Sequence, residues 1–102
     1  MEELLGMSTS ELIRTLGERF KQYRIRMQLT QDEIAKMAGV SVITIHRFEN
    51  GLSKNISLGV FLLLIKSLGI IDNINRLLPE LEQSSYQYSG NNKVVQRIRH
   101  KK

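Results

Sequence analysis

Residues 30–51, TQDEIAKMAGVSVITIHRFENG, constrain the fold more than any other part of the chain. Thr30 followed three residues later by Glu33 is a capping-box start for a helix. Gly39 ends that helix, because glycine takes the left-handed backbone that closes a helix C-terminus. Val40 plugs the corner, Ser41 caps a second short helix, and Gly51 ends it. Helices of this length are marginal alone in water. The rest of the chain must therefore hold the pair, and the corner between them must serve a purpose.

Stepping 100° per residue from Ile45 sorts the second helix of the pair into two faces. Val42, Ile45, Phe48 and Glu49 form the inner one, whereas Ile43, Arg47 and Asn50 lie on the outer side with His46 and Thr44 flanking them. The outer face thus offers a guanidinium, an imidazole, an amide, a hydroxyl and methyl groups. The helix's single acid, Glu49, points inward. A short, acid-free helix held out by a supporting helix suits the DNA major groove. A carboxylate on the inner face needs a buried partner.

Elsewhere the signals are also helical, and no run alternates like a strand. Ser8 and Glu11 form a capping box before a long helix reaching about Met27, with Leu12, Leu16, Phe20, Tyr23 and Met27 as its apolar stripe. Ile34, Ala35 and Ala38 supply the inner face of the helix after Thr30. Ser57 caps a fourth helix at 58–68, with Leu58, Phe61, Leu64, Ile65 and Leu68 directed inward. Ile71, Ile74, Leu77, Leu78 and Leu81 suggest a fifth helix, interrupted by Pro79. This predicts an all-α, five-helix domain over residues 8–82, with the paired helices at 30–51. A polar linker and basic tail follow at 83–102.

Composition narrows the chemistry. Without cysteine, disulfides, thiolate zinc sites and cysteine nucleophiles are excluded. His46 and His100 lack metal-site spacing, and no glycine-rich phosphate loop, paired carboxylates or nucleophile–base pair is present, so neither cofactor nor enzymatic activity is expected. The apolar run 58–71 is interrupted by Lys66 and is shorter than the roughly 18 residues of a membrane span. The N-terminus begins acidic, unlike a signal peptide, so a cytoplasmic location is expected. The net charge of +5 has one source: residues 1–82 hold ten basic and ten acidic side chains, and Lys93, Arg97, Arg99, Lys101 and Lys102 supply the excess. That tail is either a solvated end or a further contact to nucleic acid or a protein partner.

Read together, Leu16-Gly17, Phe20, Arg24, Thr30-Gln31, Ile34-Ala35, Gly39-Val40-Ser41, Thr44-Ile45 and Glu49-Asn50-Gly51 resemble the helix-turn-helix of the Cro/repressor (XRE) family. The resemblance spans about residues 12–70. It implies a lambda-repressor-like fold and sequence-specific binding of double-stranded DNA, most simply as a repressor. It also implies that Gln31 bonds a phosphate while buttressing the recognition helix, and that Arg24 pairs inward with Glu49. Val42 and Ile43 occupy base-reading positions, where they can touch thymine methyls, and Arg47 is the candidate for bidentate readout of guanine, with His46 beside it. Thr44, Asn50 and Lys54 are expected at phosphates. The loop after Gly51 departs from the family pattern, with Lys54-Asn55-Ile56 where a proline is common.

Helix four carries more apolar residues than one small core needs. Val60, Leu63, Ile71, Ile74 and Leu78 are therefore expected at a homodimer interface, and a two-fold dimer implies a near-palindromic operator. A second reading comes from the run SLGVFLLLIKSLGI, which resembles the corresponding helix of HipB-type antitoxins. It implies a kinase-like toxin as protein partner, with DNA binding for autoregulation. With nothing of domain size after residue 82, regulation is expected to come from concentration, a partner or degradation.

Overall fold

The structure, a computed structural model, describes residues 3–82, so the expected linker and basic tail lie outside the described residues. The helices are α1 (Glu3–Gly6), α2 (Thr9–Arg26), α3 (Gln31–Ala38), α4 (Val42–Glu49) and α5 (Leu58–Ser67). A 3-10 turn (Ile71–Asn73) and a one-turn α6 (Ile74–Leu77) follow. No strand occurs among the described residues, and none of their helices is long and apolar enough to cross a membrane. The described residues divide into two units, one through Ile71 and one from Asp72 onward.

Local chemistry sets the helix ends of the first unit. Ser8 and Thr30 each close a complete capping box, with Glu11 and Glu33 respectively reaching back to the cap amide at 2.8 Å. Ser41 and Ser57 cap α4 and α5 by accepting from Thr44 and Val60, both at 3.1 Å. At the other end, α2, α4 and α5 finish in the same doubly bonded turn. In α4 the Leu52 amide reaches the Arg47 carbonyl and the Gly51 amide that of Phe48. Gly51 and Gly69 supply the left-handed residue in α4 and α5, and Gly39 does so after α3. In α2 the residue is Gln28, at φ +61°, the one non-glycine with positive φ among the described residues.

The core of this unit is Phe20, Ile34, Ala35, Ala38, Ile45, Phe48, Leu64 and Leu68. Phe48 lies at its centre, tilted against Phe20 at 5.8 Å between centroids and edge-on to Phe61 at 6.3 Å. α2 packs on α4, and α3 packs on both α4 and α5. All three inner residues expected of the helix after Thr30 are buried.

Three expectations are corrected. The buried row of α2 is Gly17, Phe20 and Arg24, with Ile13 packed beside it, while Leu16, Tyr23 and Met27 are exposed. The stripe is rotated because α4 crosses at Gly17 and because an arginine, which apolar periodicity counts as polar, belongs to the inner face. On α5, Leu58 is 70% exposed and Val60 packs against the core instead. At 100° per residue Val60 lies about 40° from the buried Leu64, and Leu58 about 120°. The fifth helix is much shorter than its apolar pattern suggests: α6 stops at Leu77, and Leu78 leaves the helical region at φ −143° and ψ 76°. Pro79 imposes this, since the residue before a proline is driven out of the helical region.

Candidate nucleic-acid interface

α4 is fixed against the first unit by a close approach and by a buried charge. At Gly17 an added Cβ would lie 1.9 Å from the Phe48 carbonyl oxygen, so the α2 and α4 backbones touch there. At the end of α4, Gly51 lies under the aliphatic stem of Arg14, whose Cδ would stand 2.9 Å from a Cβ.

The charge is Glu49. Its side chain has no exposure, and Arg24, 10% exposed, meets it with two parallel bonds. Arg24 Nε donates to Oε2 at 2.7 Å and Nη2 to Oε1 at 2.8 Å. Arg24 Nη1 donates to the Leu29 carbonyl at 2.8 Å, tying the same guanidinium to the turn between α2 and α3. Gln31 Nε2 adds a third bond to the carboxylate, reaching Oε1 at 2.9 Å. The hydrogen bond to Glu49 raises the Arg24 pKa above its ordinary value, against the opposing effect of burial. One carboxylate therefore joins α2, α3 and α4. The direct bond from Gln31 to Glu49 was not legible in the sequence, because nothing in residue spacing says which acid an amide meets.

The opposite side of α4 faces solvent. Ile43 is 66% exposed, Val42 is 36% exposed, and His46, Arg47 and Asn50 are exposed. Thr44 is half-buried, with its hydroxyl 2.9 Å from that of Ser41. Lys54 is exposed in the following loop. Simple angular counting puts Val42 with the inner face, but it lies in the first turn, before the buried part of the helix that begins at Ile45.

Asn50 is exposed, and its side-chain amide is engaged with the preceding turn of α4. Its Nδ2 donates to the His46 carbonyl at 2.8 Å and lies 3.2 Å from His46 Nδ1. Gln31, by contrast, has one amide proton engaged with Glu49 and a second without a partner among the described residues. No cluster of three metal-ligating side chains occurs among the described residues.

This is the geometry of a supporting helix, a tight glycine corner and a presented helix. A family model described as Helix-turn-helix matches residues 20–71, half of the chain, beginning in α2 and ending just after α5. The chain belongs to the Cro/repressor (XRE) helix-turn-helix family. In the terms of that family, α3 is the supporting helix and α4 the recognition helix. The XRE family is one of sequence-specific DNA-binding domains and not normally enzymatic, so DNA is the partner this helix-turn-helix implies. No curated protein shows a significant match to the chain.

Proposed function

We propose that the protein is a transcriptional repressor that reads operator DNA with α4 and acts as a homodimer. The observation carrying this reading is the division of α4 into an acid-free exposed face and an inner face whose single carboxylate is fully sequestered. A duplex phosphate backbone repels exposed carboxylates and attracts donors, so such a helix can enter the major groove without electrostatic penalty. Repression is the simplest outcome, because it needs only occupancy of the operator.

On this reading Arg47 donates to a guanine edge, and Val42 and Ile43 meet thymine methyls. The free proton of Gln31, the amides at the start of α3, Thr44 and Lys54 serve the phosphates. For the dimer, the outer arc of α5 leaves Leu58 and Leu63 uncovered, Leu63 at 42%. Leu78 is also exposed, Ile71 and Ile74 are half-buried, and Val60 contributes less than expected because it serves its own core.

Selection of bound duplexes from a random pool tests the reading. The expected result is an enriched, near-palindromic motif, with preference at one base pair of each half-site relaxed in Arg47→Ala. A pool that returns without any enriched motif would remove sequence-specific binding from consideration.

A further inference from the structure

Asn50 closes α4, and its side chain does more than close a helix. Its amide nitrogen Nδ2 lies 2.8 Å from the His46 carbonyl oxygen and 3.2 Å from His46 Nδ1, and it carries two protons, one for each neighbour. The orientation of that amide is not arbitrary. A backbone carbonyl only accepts, so the amide group at 2.8 Å from it must be the NH2 and not the oxygen. The same NH2 then faces Nδ1, and two donors cannot face one another. Nδ1 must be the unprotonated nitrogen of the neutral ring, and the proton must sit on Nε2.

We propose that Asn50 is a positioning residue that holds His46 in one rotamer and one tautomer, making its Nε2–H a fixed, outward hydrogen-bond donor for an acceptor on a DNA base edge. The inference rests on the DNA-reading role of α4 and deepens it. His46 is exposed on the presented side of that helix, beside Arg47. The distal ring nitrogen, being the one that is not bonded to Asn50, is the one left for a ligand. Purine N7 and guanine O6 in the major groove are acceptors, which an Nε2–H can satisfy and an unprotonated Nε2 cannot. A freely rotating imidazole would instead lose rotamer freedom on binding and could present either nitrogen. This gives Asn50 a part in specificity without a contact of its own to the nucleic acid.

The test combines the free protein with DNA selection. Nitrogen-15 NMR of the His46 ring in the free protein at alkaline pH should show protonated Nε2 and unprotonated Nδ1. In Asn50→Asp, whose carboxylate can only accept, the proton should move to Nδ1. On DNA, Asn50→Ala and His46→Ala should each relax preference at the same base pair by about tenfold, and the double variant no further. His46→Gln, whose amide donor takes the place of Nε2–H, should keep most of that preference. Asn50→Ala should leave the slope of binding against salt unchanged.

A ring protonated on Nδ1 in the wild-type protein would overturn the proposal. So would Asn50→Ala weakening all sequences evenly with a salt slope smaller by about one, the mark of a phosphate contact. If no duplex is preferred by the wild type, the DNA reading of α4 fails, and the donor's proposed use fails with it. The ring spectrum would still show whether Asn50 sets the tautomer.

Discussion

Arg24 and Glu49 are a charged pair inside a domain with few residues to spare for its core, and the arrangement is sensitive to either partner. Taking one charge away leaves the other buried and uncompensated, at a cost of about 3–5 kcal/mol. Glu49→Gln should therefore lower the melting temperature by more than about 10 °C and weaken DNA binding as well. Loss of binding with unchanged melting would mean that the position works at the DNA surface. The raised pKa of Arg24 means that its stabilisation is complete below the ordinary arginine range. It is lost only as pH rises through the higher folded value, so it adds no pH dependence near neutrality. Gln28 is the opposite case, a residue whose backbone works against the fold at φ +61°. A left-handed non-glycine residue costs about 1–2 kcal/mol, part of which glycine gives back through its freer unfolded chain. Gln28→Gly should stabilise the domain by about 0.5–1 kcal/mol in thermal or urea melts, and a neutral or destabilising result would count against the turn described here.

Between α2 and α4 the decisive residue has no side chain. A methyl group at position 17 would lie 1.9 Å from the Phe48 carbonyl oxygen, where the neighbour is backbone and cannot swing aside. Gly17→Ala should destabilise by about 3 kcal/mol or more, at or beyond the upper end of ordinary overpacking, although alanine is the better helix former. Melting within about 1 kcal/mol of wild type would show that the two helices do not meet there. This contact also explains what was legible in advance. Capping boxes at Ser8 and Thr30, the stop at Gly39, the inner face of α3 and that of α4 from Ile45 onward follow from residue types at fixed spacing, so they could be read directly. The orientation of α2 could not, since its stripe of large apolar residues lies beside the true inner row. A glycine in the middle of an 18-residue helix was the available signal, because it is unfavourable there without a packing reason. The side-chain bonds of Gln31 and Asn50 depend on distances between turns, which spacing alone does not fix.

For the molecule as a whole, self-association is the property that decides how DNA is approached. A two-fold dimer places two recognition helices about 34 Å apart, one turn of the duplex, and calls for half-sites about 10 bp apart. Light scattering at micromolar concentration should give twice the mass of 11.8 kDa, and footprinting should show two equivalent half-sites. A monomer, or one unrepeated half-site, would exclude the symmetric mode. Charge offers a separate measurement at this scale, because acids and bases balance through residue 82 and the five excess cations come after it. Removal of residues 93–102 should flatten the dependence of DNA affinity on salt if those cations displace counterions. An identical slope would assign them no part in binding.

The triple engagement of Glu49 has a consequence that calorimetry can read. With α2, α3 and α4 joined through one carboxylate, α4 meets its ligand already folded and already oriented, and none of these three helices has to order on contact. Association should then show a heat-capacity decrease set by the contact area alone, without the added term of roughly 1,000–3,000 Å² that accompanies folding on binding. In Glu49→Gln, where that joint is loosened, part of the ordering moves from the free protein into the binding step. Its heat-capacity change should become more negative even as its affinity falls.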